Sequence, residues 1–358
     1  MLLQDILSRK LPPVLPYNFK ASDWEAYRQD MIRRFARHEY GFLPDAPEAV
    51  RSETVLTEEK AWAGKAVHSE TALSFDTPRG EFTFPVHLVV PYQQQPLPLV
   101  IYLSFTPYPA GKYGPIEEII DQGYALAVID YQELSKDEDD GFTSGLAAMY
   151  DRSQDEGSMW GKISMWAYGA SRVMDYVQTL PEIDKRRIYC VGHSRLGKTA
   201  LWCAVQDTRF AGAGSNCSGC SGVAVTRNKK GELIEDIVTR FPHWFCENYR
   251  QYAGAEDKLP FDQHQLVALM APRPFFVCEA EDDIWCDPES EYMSLYLASE
   301  AYHLLGVDGL VGNRDYPPVG RALTAGKLGY RLRGGNHFMS RHDWLMYLQF
   351  FNEQAVKK

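Results

Sequence analysis

An α/β fold, with a mostly parallel central sheet sandwiched by helices, is what this sequence predicts, and three observations predict it. From about residue 98 onward, short β-branched or aromatic runs alternate with stretches of helical periodicity. Ahead of them, 52–91 alternates residue by residue, as in "KAVHSETALSF" and "EFTFPVHLVV", which reads as antiparallel strands opening the sheet. Third, "RIYCVG" is followed without a linker by the helix-forming run "LGKTALWCAV", a strand, turn and helix within 20 residues.

The elements follow in order. "SDWEAYRQDMIRRFARH" (22–38) carries Trp24, Tyr27, Met31, Ile32 and Phe35 near helical spacing, with Ser22 as its N-cap. "TPRGE" supplies the turn between two of the antiparallel strands. Further strands are expected near 98–105, 123–130, 187–192, 211–216, 273–280 and 327–333, and helices near 115–122, 161–180, 196–206, 261–270, 288–304 and 340–354. No repeat, low-complexity tract or long linker divides the chain, so 1–358 reads as one domain. Residues 1–50 form an N-terminal helical extension, and inserted loops fall at about 131–160 and 217–260.

Composition narrows the function. A hydrophobic fraction of 45% supports a sizeable core, and a net charge of −11 without a Lys/Arg-rich run argues against nucleic acid. The apolar run "PLPLVIYLSF" is far short of the ~20 residues that cross a bilayer, so no membrane partner is expected. "MLLQDILSRKLPP" lacks the pattern of a secretory signal, so the chain reads as cytoplasmic if Met1 is the native start, or as secreted with its signal removed. The seven cysteines, an odd count, all lie between Cys190 and Cys286 and suggest no disulfide framework. Cys217 and Cys220 form a lone C-x-x-C without a second pair, read as two small residues near a pocket.

The chemistry gathers at "CVGHSRLGKTALW" (190–202). Gly192 and Ser194 begin the Gly-x-Ser-x-Gly nucleophile elbow, but Leu196 holds the fifth position and the glycine arrives late, at Gly197. A strained strand-to-helix turn needs small residues where strand and helix crowd it, so the late glycine should change the packing and not the geometry at Ser194. The plain alternative is a serine that caps a helix. Chain order favours catalysis, because hydrolases of this architecture place an acid after a later strand and a histidine after the last.

"PRPFFVCEA" runs into "EDDIWCDP", which makes Asp283 the candidate acid, with Glu281, Asp282 and Asp287 as competitors. "LGYRLRGG" ends in "GGNHF", which makes His337 the candidate base. His193 should point away from the cleft into packing; His38, His68, His87, His243, His264, His303 and His342 read as structural or surface residues. The oxyanion needs donors, expected from the backbone N–H of Arg195 and from the loop "TPYPAGKYG", near Phe105 and Thr106. No metal spacing such as H-E-x-x-H occurs, and neither metal nor cofactor is expected.

At G-H-S-R-L-G-K the sequence resembles the glucuronoyl esterases of carbohydrate esterase family 15, within the α/β-hydrolase superfamily, whose elbow carries the same late glycine. The likeness continues through "MWGKISMWAYGASRVMDYV", "FPHWFCEN", "DQHQLVALMAPRP", "EDDIWCDP" and "GGNHF", over roughly 150–350. The resemblance implies a cofactor-free enzyme that cuts the ester between a (4-O-methyl-)glucuronic acid and an alcohol. It implies Ser194 as nucleophile, His337 as base and the Arg195 guanidinium as an oxyanion ligand. Lys198, Trp285 and Glu232 are implied as sugar-binding residues. Many members carry the acid as a glutamate after the strand following the elbow helix, where this chain has Cys217, so the role should fall on Asp283. Two other expectations compete: an acetyl esterase or general carboxylesterase on the same triad, and a catalytically inactive carbohydrate-binding homologue.

Overall fold

The computed structural model describes residues 2–93, 96–108, 113–153, 157–312 and 315–356. Its strands are β1 (Arg51–Lys60), β2 (Ala66–Thr77), β3 (Gly80–Pro91), β4 (Leu97–Ser104), β5 (Ala125–Asp130), β6 (Ile183–His193), β7 (Gly212–Asn216), β8 (Phe275–Ala280), β9 (Ala322–Leu323) and β10 (Leu328–Arg333). They form a single sheet in the order β1-β2-β3-β5-β4-β6-β7-β8-β10-β9. From β5 through β10 every neighbouring pair is parallel, while β1, β2, β3 and the short β9 pair antiparallel. This is the α/β-hydrolase fold.

Side chains on β4 assign the two faces. Leu99, Ile101 and Leu103 enter one apolar core, while Val100 and Tyr102 enter the other, as the two-residue period of a doubly covered strand requires. The helices Ile116–Asp121 and Arg341–Val356 pack on the Val100 side through Ile119, Trp344, Tyr347 and Phe351. The helices Trp24–Phe35, Lys162–Val177, Arg195–Gln206, Gln263–Ala268 and Pro288–Leu304 cover the other. β7 and β8 are buried along their whole length. β1 is exposed at all ten positions, an edge strand laddered to β2, with Arg51 also paired to Glu81 of β3.

The β2–β3 hairpin closes at Thr77↔Gly80, inside the predicted "TPRGE" turn. Two details differ from expectation. Ser22 does not cap its helix: a 3-10 turn occupies Ala21–Asp23, Ser22 donates to the Asp23 carboxylate at 3.1 Å, and the α-helix begins at Trp24. The same helix ends in a wide π turn, Ala36–Tyr40, which carries Tyr40 under the elbow helix to stack on Trp202 at 4.3 Å. β9, unpredicted at two residues, pairs with Tyr330 and Arg331. Among the described residues, no helix is long and apolar enough to cross a membrane.

Parallel register brings the carboxyl ends of β6, β7, β8 and β10 to one edge, where Ser194, Cys217, Asp283 and His337 follow them.

Candidate active site

Ser194 occupies the turn between β6 and the helix Arg195–Gln206 with φ 56° and ψ −128°. A non-glycine residue in this region typically stores about 1–3 kcal/mol of strain. Its N–H is anchored on the Asn216 carbonyl of β7 at 2.8 Å, and its own carbonyl accepts from the Gly197 N–H at 2.8 Å. Both glycines are required by crowding. A Cβ on Gly192 would lie 2.0 Å from the Leu196 carbonyl oxygen, and one on Gly197 would lie 2.8 Å from Ser215 Oγ. Leu196, in the position the usual motif gives to glycine, is fully buried and leaves the serine turn intact.

His337 sits beyond β10 with its side chain 40% exposed, and its Nδ1 donates to the Asp283 carboxylate at 2.6 Å. An ionised carboxylate only accepts, so Nδ1 carries the proton and the neutral ring keeps its lone pair on Nε2. Burial alone would raise the Asp283 carboxyl, but the hydrogen bond and charge of His337 and the N–H of Cys286 hold it below its ordinary value. The competing acids are placed otherwise. Glu281 and Asp282 are exposed, and Asp287 caps the helix Pro288–Leu304 while also accepting from the Lys230 N–H at 2.8 Å.

His193 is buried, as packing requires, but its ring lies against His337 at 4.5 Å between centroids, not away from it. Asn216 fixes the contact by accepting from His193 Nδ1 at 2.6 Å while donating to the Cys278 carbonyl at 3.2 Å. Burial, reinforced by the neighbouring imidazole of His337, pushes the His193 pKa down to about 3, so it packs against His337 as a neutral ring.

Arg195 opens the elbow helix. Its guanidinium lies 4.7 Å from the Trp244 ring centroid, 5.4 Å from Phe241 and 5.6 Å from Phe105, and Nη1 is paired with Asp137. Asp137 also accepts from His243 Nε2 at 2.9 Å, Trp244 Nε1 at 2.7 Å and Tyr131 Oη at 2.9 Å. Burial would raise this carboxyl too, yet hydrogen bonds from His243, Trp244 and Arg195 with the guanidinium charge hold it well below the usual carboxylate range. Among the described residues the buried Nε–H of Arg195 has no partner, which leaves a donor unspent on the residue that follows Ser194. The N–H of Thr106 is not available for an oxyanion, because it donates to Ser104 Oγ at 3.2 Å; among the described residues the buried Thr106 hydroxyl has no partner. Residues 109–112 of that expected rim lie outside the described residues.

Lys198, one turn further, is 3% exposed. Its ammonium donates to the Ser218 and Cys220 carbonyls at 2.7 and 2.5 Å and pairs with Glu232 at 3.2 Å. The indole N–H of Trp285 donates to the same carboxylate at 3.3 Å, and the Glu232 N–H donates to the Trp285 carbonyl at 2.9 Å. Trp285 is 41% exposed, with the Arg240 guanidinium 5.1 Å from its ring centroid. Thus Lys198, Glu232 and Trp285, spread over 88 positions of sequence, form one cluster. Sequence reasoning missed Asp137, His243 and Trp244; the one signal available was the "FPHWFCEN" stretch, which holds the last two.

Comparison with known proteins identifies the family. The family model for "Glucuronyl esterase, fungi" matches residues 75–306. The carbohydrate esterase MZ0003 from an unknown prokaryotic organism is 34% identical, over 92% of this chain and 85% of that protein. A 4-O-methyl-glucuronoyl methylesterase of Podospora anserina is 26% identical over 84% of this chain but only 59% of its own length. A glucuronoyl esterase of Teredinibacter turnerae superposes with a TM-score of 0.89 at 30% identity, over 98% of this chain and 90% of that one. The chain therefore belongs to the glucuronoyl esterases of carbohydrate esterase family 15.

Proposed function

We propose that this protein is a serine carboxylesterase that hydrolyses esters of (4-O-methyl-)glucuronic acid through Ser194, His337 and Asp283. The observation that carries the reading is the combination of a serine in a strained elbow with a buried-carboxylate–imidazole pair of 2.6 Å at the same sheet edge. His337 Nε2 takes the Ser194 proton, the serine oxygen attacks the ester carbonyl, and Asp283 holds the ring in its tautomer and stabilises the imidazolium. The proton then passes to the departing alkoxide. Water, activated by the same imidazole, cleaves the acyl-enzyme.

Negative charge on the carbonyl oxygen in the transition state is met by Arg195, whose Nε–H is unspent and whose plane is clamped by Asp137 and three aromatic rings. Lys198 and Glu232 offer a donor and an acceptor for sugar hydroxyls beside the ring of Trp285, the aromatic-plus-polar composition of a sugar site. An acetyl ester has nothing to fill that cluster.

Hydrolysis of benzyl glucuronate beside 4-nitrophenyl acetate, by wild type and Ser194→Ala at pH 7, tests the proposal. Preference for the glucuronate, abolished in the variant, is expected. Cleavage of the acetate alone would keep the triad and reject the substrate, and undiminished turnover by Ser194→Ala would reject the triad.

A further inference from the structure

Cys217 follows β7 with φ 47° and is fully buried, and its sulfur makes a weak contact, 3.9 Å to the Cys278 carbonyl. One ligand atom each from Cys217, Asp283 and His337 lie within 4.8 Å of one another, so a thiol stands against the proposed acid and base. A second thiol, Cys286, is 3.6 Å from His337 Nδ1 and donates to the Cys217 carbonyl at 3.2 Å.

We propose that Cys217, Asp283 and His337 form an inhibitory site for a borderline-soft divalent cation of the zinc type, whose occupation reversibly shuts the esterase off. The proposal rests on His337 being the catalytic base. The donors are one sulfur, one imidazole nitrogen and one carboxylate oxygen, a set that suits zinc and not magnesium or calcium, which take oxygen. Tetrahedral zinc at its usual bond lengths separates such donors by roughly 3.4–3.6 Å. The His337–Asp283 pair, at 2.6 Å, has to open by about 1 Å and the sulfur to close by a similar amount. His337, 40% exposed, gives the ion its way in, while Cys217 and Asp283 form the buried floor.

Two further carboxyls, Glu279 and Glu291, are fully buried near Cys217. On binding, the S–H bond of Cys217 breaks, its proton leaves to solvent, and the sulfur pair forms the metal bond. The His337 ring stays neutral: its Nδ1 proton leaves to solvent, Nε2 takes one up from solvent, and the ion takes the Nδ1 position. No oxidant or reductant is involved. With the ion on Nδ1 and the ring proton on Nε2, that nitrogen has no lone pair left to take the Ser194 proton.

The test combines turnover with a readout independent of it. Zinc at micromolar concentration should inhibit glucuronate ester hydrolysis by wild type, a chelator should restore it, and magnesium should do nothing. Cobalt(II), as a spectroscopic stand-in, should give a thiolate charge-transfer absorption. Cys217→Ala, and the closer isostere Cys217→Ser, should keep basal turnover, lose the absorption and need at least about tenfold more zinc for the same inhibition. Equal zinc sensitivity in wild type and both variants, or no thiolate absorption in wild type, overturns the site. Absorption without inhibition would instead overturn His337 as the base while leaving the metal bound.

Discussion

Arg195 and Lys198 lie three residues apart on the first turn of one helix, yet the protein treats the two cations in opposite ways. Arg195 is partly exposed, and its plane is fixed by aromatic faces and a carboxylate that itself accepts from three further donors. Lys198 is almost fully buried and is seated by two backbone carbonyls and one carboxylate, with no plane to fix. The difference follows from the groups: guanidinium presents donors in a rigid fork and stacks on rings, while ammonium is a rotatable point charge. A planar donor suits an oxygen whose charge develops in one direction; a point charge suits hydroxyls of a bound sugar. The contrast predicts that damage on the Arg195 side lowers turnover of every ester, whereas damage on the Lys198 side is felt only by uronates.

Both sides depend on the proposed relay of Ser194, His337 and Asp283, so the largest effect should come from Asp283→Ala. Turnover of glucuronate and acetate esters should fall together by on the order of 10³–10⁴, while Asp282→Ala and Cys217→Ala stay near wild type. Comparable losses in either control would show that the acid has been misassigned. Next, Arg195→Lys keeps the charge but loses the fork and the stacking. Steady-state rates should show kcat reduced about 10²–10³ on both esters with KM little changed, the usual cost of an oxyanion donor. Loss confined to the glucuronate would erase the division between the two cations.

Trp285→Ala probes the other side without touching the core, since the ring is half exposed. It should reduce kcat/KM for benzyl glucuronate roughly tenfold or more and leave 4-nitrophenyl acetate alone; equal losses would reject the sugar cluster. Asp137→Asn sharpens the Arg195 arm: the carboxamide cannot accept all four donors, so kcat should drop about tenfold for both esters, and a KM effect alone would remove Asp137 from that role.

The smallest effect is on stability. His193 is depressed to about 3 in the folded protein against about 6.5 unfolded. Between those values the unfolded chain binds the extra proton, so stability falls as pH drops through that window, by up to about 1.4 kcal/mol per unit. Urea titrations at pH 7, 5.5 and 4 should show a shallower loss in His193→Gln than in wild type; parallel losses would assign the acid sensitivity to other groups.

Periodicity carried most of the fold. The helix expected at 288–304 is found at Pro288–Leu304, and each predicted strand has its counterpart, because the alternation and apolar runs that define them are local. The elbow was legible for the same reason: Gly192, Ser194 and Gly197 act within one turn, where a Cβ at either glycine would collide with backbone or side chain. Asp137 was not legible. It lies in "SKDEDDGF", among acids of equal appearance, and its partners His243 and Trp244 are 106 and 107 residues away. His193 was misplaced because a strand's last residue has no local signal for the ring it will meet.

By itself, then, the sequence determined the α/β-hydrolase architecture, the strained serine and which strand ends present an acid and a histidine, since backbone sterics and burial periodicity act over a few residues. Tertiary structure alone decided that Asp283, and not Asp287, meets His337, that Asp137 clamps Arg195, and that a thiol stands beside both acid and base. Those choices are made by side chains that approach only after the parallel sheet has set its register, and nothing in their local sequence encodes the distance.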